Sequence, residues 1–254
     1  MRTLRATRYL TPLREGGSVP AIVEADDEGT YVVKFRGAAQ GERALIAEII
    51  AGEVGRLLGL PVPQLVLMEI DPLLARSEPD TEIQELLKAS AGLNVAFDYL
   101  PGALNWEPAL APPPDAELAA RVVWFDAFIS NVDRTVRNPN MLRWHKQLYL
   151  IDHGASLYFH HDWAGHMAKS ESAFASIKHH ALLPIAGSIR AADALFAPRI
   201  TQAALEAILA LVPDAWLTAE ATPAATRTAY VEHLVRRVSG ARAFVEEAER
   251  VRVV

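Results

Sequence analysis

The chain has no cysteine among its 254 residues. Disulfide frameworks, thiolate metal sites and cysteine nucleophiles are therefore excluded, and with them several enzyme classes. Long apolar runs are also missing. No apolar stretch follows Met1-Arg-Thr-Leu-Arg5, and no window approaches the roughly 18 uncharged apolar residues that a membrane-spanning helix needs. The expectation is a soluble, cytoplasmic protein with no membrane partner. Positive charge is not in excess either: at a net −6 the molecule sets up no overall field toward nucleic acid, so none is expected as a partner. What the chain does have is hydrophobicity. At 51% of residues it suffices for a large core, in one domain or in two lobes packed around a cleft.

Residues 5–36 read as strand, glycine-containing loop, strand, turn and strand. Ala21-Ile-Val23 and Tyr31-Val-Val33 are β-prone, and Asp26-Asp-Glu-Gly29 carries turn chemistry. From Glu42 to Leu58 apolar residues recur at helical spacing, until Gly59-Leu-Pro-Val-Pro63 stops the helix. Gln64–Met68 is a short strand, residues 71–91 are an insertion with one amphipathic helix, and Leu93–Leu100 is again extended. The second half reads as helical apart from one hairpin, which pairs Asn140–Arg143 with Gln147–Ile151 around a His145-Lys146 turn. A helix burying Leu118, Val122, Phe125 and Ile129 runs into Asn131, and two more helices are expected near 201–212 and 224–249. On the last of these, Arg236, Arg237 and Arg242 read as a solvated basic face interleaved with Glu246, Glu247 and Glu249.

The most informative segment is Ser130-Asn-Val-Asp-Arg-Thr-Val-Arg-Asn-Pro-Asn-Met-Leu142. It holds Asp133 and Asn138 five residues apart, and Asp152 follows at the end of the hairpin, before Gly154, where a backbone bend is easy. Asp and Asn are ordinary turn residues. Their position between a buried helix and a hairpin gives them another meaning. Moving a γ-phosphoryl group needs one carboxylate to orient the attacking hydroxyl, plus an amide oxygen and a second carboxylate to hold magnesium on the phosphates. Upstream, Arg14-Glu-Gly-Gly-Ser18 lies between two strands, where glycines let backbone amides approach phosphate oxygens. Lys34 interrupts a strand otherwise built for burial, about one strand after those glycines and one helix before a row of glutamates. Counted at about 100° per residue, Glu53 falls inside the apolar stripe of that helix and Glu48 nearly opposite it, so periodicity favours Glu53 as the partner of Lys34. His160, His161, Asp162, His166, His179 and His180 lack the fixed spacing of a zinc site and read as a mobile, histidine-bearing segment.

Taken together, Val19–Asp27, Tyr31-Val-Val-Lys-Phe35, Gly59-Leu-Pro-Val-Pro63, Asn131-Val-Asp-Arg134 with Asn138–Leu142, and Ile151-Asp-His-Gly154 resemble the motifs of HipA-like kinases and, more distantly, phosphoinositide kinases. The resemblance covers residues 14–154, and its last two motifs are the specific ones. It implies an α+β, bilobal protein-kinase-like fold. Residues 1–100 would form a small β-rich N-lobe with one main helix, and residues 101–254 a larger, mostly helical C-lobe. It also implies an ATP- and Mg2+-dependent kinase acting on a hydroxyl, with Ser or Thr of a protein ahead of a small-molecule or lipid acceptor. The alternative is a nucleotide-binding pseudokinase.

In the family's pattern the glutamate that holds Lys34 maps to Glu48. Gly16, Gly17, Ser18 and Lys34 would contact phosphates, and Val95–Gly102, with Phe97 and Tyr99, would form the hinge that meets adenine. Asn138 and Asp152 would ligate the metal, and Asp133 would orient the substrate. Compared with eukaryotic protein kinases, Asn131 stands where a histidine is usual and His153 where a phenylalanine is usual, and no Ala-Pro-Glu follows Asp152.

Overall fold

Alternation along the first strands sorts their side chains onto two faces. Ala21, Val23, Ala25, Tyr31 and Val33 are buried on one side, while Lys34 belongs to the other. A computed structural model of the chain describes residues 1–13, 19–38, 41–108 and 112–252. Within them run β1 (Thr3–Pro12), β2 (Ala21–Ala25), β3 (Thr30–Lys34), α1 (Gly41–Leu58), β4 (Leu65–Ile70), α2 (Thr81–Ala89), β5 (Gly92–Asp98), β6 (Leu104–Asn105), α3 (Ala116–Phe128), β7 (Met141–Trp144) and β8 (Gln147–Leu150). Helices α4 (His166–Lys169), α5 (Ile189–Phe196), α6 (Gln202–Leu209), α7 (Pro223–Ser239) and α8 (Ala243–Arg252) complete the chain, with short 3-10 turns between them. The fold is thus mixed α and β, strand-rich at its N-terminal end and helical at its C-terminal end.

The first five strands form a closed barrel in the order β1-β2-β3-β5-β4. Every neighbouring pair is antiparallel except β1 and β4, whose parallel pairing of Thr3–Arg5 with Leu67–Glu69 shuts the ring. Its interior holds Val23, Tyr31, Val33, Val66, Met68 and Ala96, closed off by Ile83 and Leu87 of α2. Lys34 is paired with Val95, and Val32 with Phe97, so these four share the outer face. Val95 and Phe97 join the larger core together with α1 and the helices of the second half.

Helix α1 is buried on nearly every side: Leu45, Ile46, Ala47, Glu48, Ile49, Ile50, Ala51, Gly52, Val54, Gly55 and Leu58 are all inaccessible. Two glycines permit this. A Cβ at Gly55 would stand 2.9 Å from Val62 Cγ2, and one at Gly52 would stand 3.0 Å from Leu65. A helix packed between a barrel and a helical half has no single apolar stripe, which is why counting around it misplaces the functional glutamate.

Three expectations are corrected. The hairpin of β7 and β8 gains a third strand, β6, paired with β7. The helix expected over 224–249 is two helices, α7 and α8, broken around Gly240 with Arg242 in a left-handed conformation (φ 50°). Arg237 is no solvated residue. It is 2% exposed, its guanidinium lies 4.7 Å from the Phe244 ring centroid, and it donates to the carbonyls of Ala127 and Phe128 at 2.7 Å each. Those carbonyls are at the C-terminal end of α3, where a buried cation satisfies acceptors that the helix leaves open.

Candidate functional site

The site forms where the outer face of β3, the middle of α1 and the end of β8 converge. Lys34 Nζ stands 2.7 Å from Asp152 Oδ1 and 3.6 Å from Glu48 Oε1, with side-chain exposures of 12% for Lys34, 39% for Asp152 and 1% for Glu48. Glu48 also accepts backbone N–H groups from His153 at 2.9 Å and Gly154 at 3.1 Å. One carboxylate on α1 therefore fixes both the lysine and the backbone that follows Asp152. Glu53, the choice of periodicity, instead faces Arg56 at 3.7 Å on its own helix.

The charges respond as this geometry requires. Burial alone would raise the Glu48 carboxyl, but Lys34, followed by His153, brings it down to about 2. Burial opposes the charge of Lys34, yet Glu48 and Asp152 raise its pKa above the ordinary value. Asp152 is raised, first by burial and then by nearby Glu48 and Asp133, with Lys34 opposing. The cluster carries more negative charge than one lysine neutralises.

Asp152 takes a left-handed backbone (φ 56°), whereas Gly154 is not left-handed. The bend expected at the glycine therefore falls two residues earlier, on a residue type that tolerates it. Gly154 serves a different purpose: a Cβ there would stand 3.3 Å from Glu48 Oε1 and 3.4 Å from Ala44 Cβ.

Asp133 sits in a tight loop. Its Oδ2 accepts from Asn138 Nδ2 at 2.8 Å and Asn140 Nδ2 at 3.1 Å, and its backbone N–H donates to Asn131 Oδ1 at 3.0 Å. Val136 and Arg137, between these anchors, point outward and are exposed.

Beneath the loop lies a network that the spacing argument missed. Asp126 of α3 is fully buried and accepts from Asn131 Nδ2 at 2.9 Å, Arg134 Nε at 2.6 Å and His180 Nε2 at 2.8 Å. His180 Nδ1 accepts the Leu182 N–H at 3.1 Å, so the ring proton is on Nε2 and is donated to Asp126. Arg134 also reaches the carbonyls of Pro139, Asn140 and Ile151, the last immediately before Asp152. A single carboxylate thus ties together the Asp133 loop, the strand end that carries Asp152 and the segment around residue 180. Burial works against its charge, but Arg134 and His180 hold its pKa well below the usual range. The signal in the sequence was a lone aspartate, Asp126, inside the apolar run from Val122 to Phe128.

The remaining expected residues fall elsewhere. Gly16, Gly17 and Ser18 lie outside the described residues. Phe97 is 5% exposed within the core. Tyr99 lines a cavity of about 490 Å3 with Arg56, Gln64, Asp98, Trp144 and Tyr149, a lining that includes none of Lys34, Glu48 and Asp152. The histidine-bearing segment runs through short turns, the first of which buries Phe159 and His160. Among the described residues no group of three or more His, Asp or Glu is arranged to hold a metal by itself. No helix among them is long and apolar enough to cross a membrane.

A sequence model of HipA-like kinases matches residues 7–246. No curated protein matches the chain. Among solved structures, the Helicobacter pylori proinflammatory kinase CtkA is similar over 99% of this chain and 98% of that one, with a TM-score of 0.55 and 13% identity. At that identity the likeness speaks to the fold alone.

Proposed function

Since the chain belongs to the HipA-like kinase family, we propose that it is an ATP- and Mg2+-dependent kinase that transfers the γ-phosphoryl group to a hydroxyl, the acceptor being Ser or Thr of a protein. The observation that carries this reading is the meeting of Lys34, Glu48 and Asp152, from three distant stretches, within 3.6 Å. We read residues 1–100 as the N-lobe, residues 101–254 as the C-lobe, and Val95–Gly102 as the hinge between them.

The donor set fits magnesium. Asp152 and Asn138 offer hard oxygen donors, and Mg2+ is ordinarily held by one or two carboxylates together with substrate phosphates, without a dedicated protein cage. The uncompensated negative charge around Asp152 supports the same assignment. When bound, the metal neutralises charge on the phosphates. Lys34, held by Glu48, presents a fixed cation to phosphate oxygens, and Gly16, Gly17 and Ser18 would offer backbone amides to them. Asp133 orients the acceptor hydroxyl through the carboxylate that Asn138 and Asn140 hold in place. Because its donors are already in position, little reorganisation is left for the chemical step.

The test is MgATP binding by thermal stabilisation, and ATP turnover, for the wild type, Asp133→Asn and Asp152→Asn. We expect binding and turnover in the wild type. Asp133→Asn should retain binding and lose turnover on the order of 10²-fold or more. Binding without turnover in the wild type would make the chain a nucleotide-binding module, and wild-type turnover in Asp152→Asn would overturn the site. Incubation with γ-labelled ATP and lysate then shows whether label enters protein, lipid or a small metabolite.

A further inference from the structure

A second cavity, of about 500 Å3, opens between the first turn of α1, the turns at 160–163 and the stretch from Trp216 to Tyr230. Lys34, Glu48, Asp133 and Asp152 are not among its lining residues. Its size is that of a small-molecule site.

Three features of the lining define its chemistry. Arg43 is exposed and has no ion pair or hydrogen bond among the described residues, whereas neighbouring Glu42 is drawn toward Arg36 at 3.8 Å. The cavity therefore carries a cation with no paired carboxylate at the positive end of the α1 dipole, with Glu42 also in its lining. His160 is 1% exposed, with Nδ1 3.1 Å from the Tyr230 hydroxyl and Nε2 buried without a hydrogen-bond partner. Finally, the walls are aromatic: Trp163 is half-buried, 5.0 Å from the Tyr230 ring and stacked on His166 at 4.5 Å, its indole N–H held by Glu220 at 2.6 Å. Burial and then the Arg43 charge hold His161 below the ordinary imidazole range, in keeping with their places in one lining.

We propose that this cavity binds a small organic phosphate with an aromatic body, its phosphate on Arg43 and His161 and its ring against Trp163. Arginine suits phosphate through its fork of donors, and the indole offers a flat apolar surface. Because the lining spans both α1 and the turns at 160–163, a bound ligand fastens these two elements to each other. The binding stands apart from the kinase reading, which MgATP tests separately in the same samples.

The experiment is a fluorescence titration of the full chain with phenyl phosphate, since Trp163 and Trp216 both line the cavity. A saturable change is expected in the wild type, weaker by on the order of tenfold or more in Arg43→Ala and unaltered in Asp152→Asn. Absence of saturation in the wild type, equal affinity in Arg43→Ala, or loss of binding in Asp152→Asn would each overturn the proposal. So would an equal response to phenol, which lacks the phosphate.

Discussion

Arg134 Nε stands 2.6 Å from Asp126 Oδ2, and neither side chain reaches solvent. A buried pair of this kind adds little over an apolar substitute, but breaking it strands a charge. Asp126→Asn is expected to destabilise the fold by about 3–5 kcal/mol, because Arg134 would be left buried without its counterion. Urea denaturation of the two proteins measures this. A loss under about 1 kcal/mol would mean that Arg134 finds another acceptor.

Glu48 and Glu53 of α1 should behave differently. Glu48→Gln removes the buried one of the two carboxylates that hold Lys34, and kcat/KM for phosphoryl transfer should fall on the order of 10²-fold through misplacement of the lysine. Glu53→Gln, which disturbs only a pairing with Arg56, should leave it within about twofold of wild type. The pH dependence separates them further. The folded-state pKa of Glu48, about 2, lies below the ordinary carboxyl value of 4.5. Its contribution to stability is therefore complete above about 4.5 and is lost as the pH falls toward about 2. Denaturation midpoints across this window should flatten in Glu48→Gln.

Gly154→Ala probes the contact between the strand end and α1. The new methyl would press on Glu48 Oε1 at 3.3 Å. Turnover should drop on the order of tenfold while stability changes by about 1 kcal/mol. Equal activity of the two proteins would show that Glu48 yields freely.

His160 and His233 give the fold a second acid sensitivity at higher pH. Both are buried, and burial first lowers each pKa to about 3, with nearby positive charge adding to it and, in His233, the hydrogen bond to the His166 carbonyl opposing it. The unfolded chain takes up these protons near pH 6.5 and the folded chain only near 3. Stability from this source is thus complete above about 6.5 and declines as pH falls from there toward 3. In His160→Gln the slope of midpoint against pH over that interval should be shallower than in the wild type.

Much of the fold was legible because local signals and burial agreed. The turn at Asp26–Gly29 and the stop at Gly59–Pro63 fall where their residue types favour them, and the hairpin turn falls at His145-Lys146 as the strand pattern on either side requires, with both residues left-handed. The site was legible where chemistry left an incongruous residue, such as Lys34 in a buried strand. It was illegible where two packing partners share one helix: the apolar residues of α1 face both ways, so Glu48 looks exposed by periodicity and is 1% exposed in fact. The partners of Asp126, Arg237 and His180 were not legible, since a polar residue does not announce which distant group it will satisfy, and Arg237 and His180 stand beside other basic residues, Arg236 and Lys178-His179. The short turns and helices between residues 158 and 199 carry too few residues per element for any period to emerge.

The Asp133 loop alternates between anchored and free positions. Asn131, Arg134, Asn138 and Asn140 are each committed to a partner within the loop or beneath it, while Val136 and Arg137 project from it uncommitted. Replacing either of the latter leaves every anchor intact, so under the kinase reading an altered preference for what is phosphorylated can be written at this rim while the machinery one residue away stays untouched. Library selection restricted to these two positions is then a route to retarget the protein without first having to restabilise it.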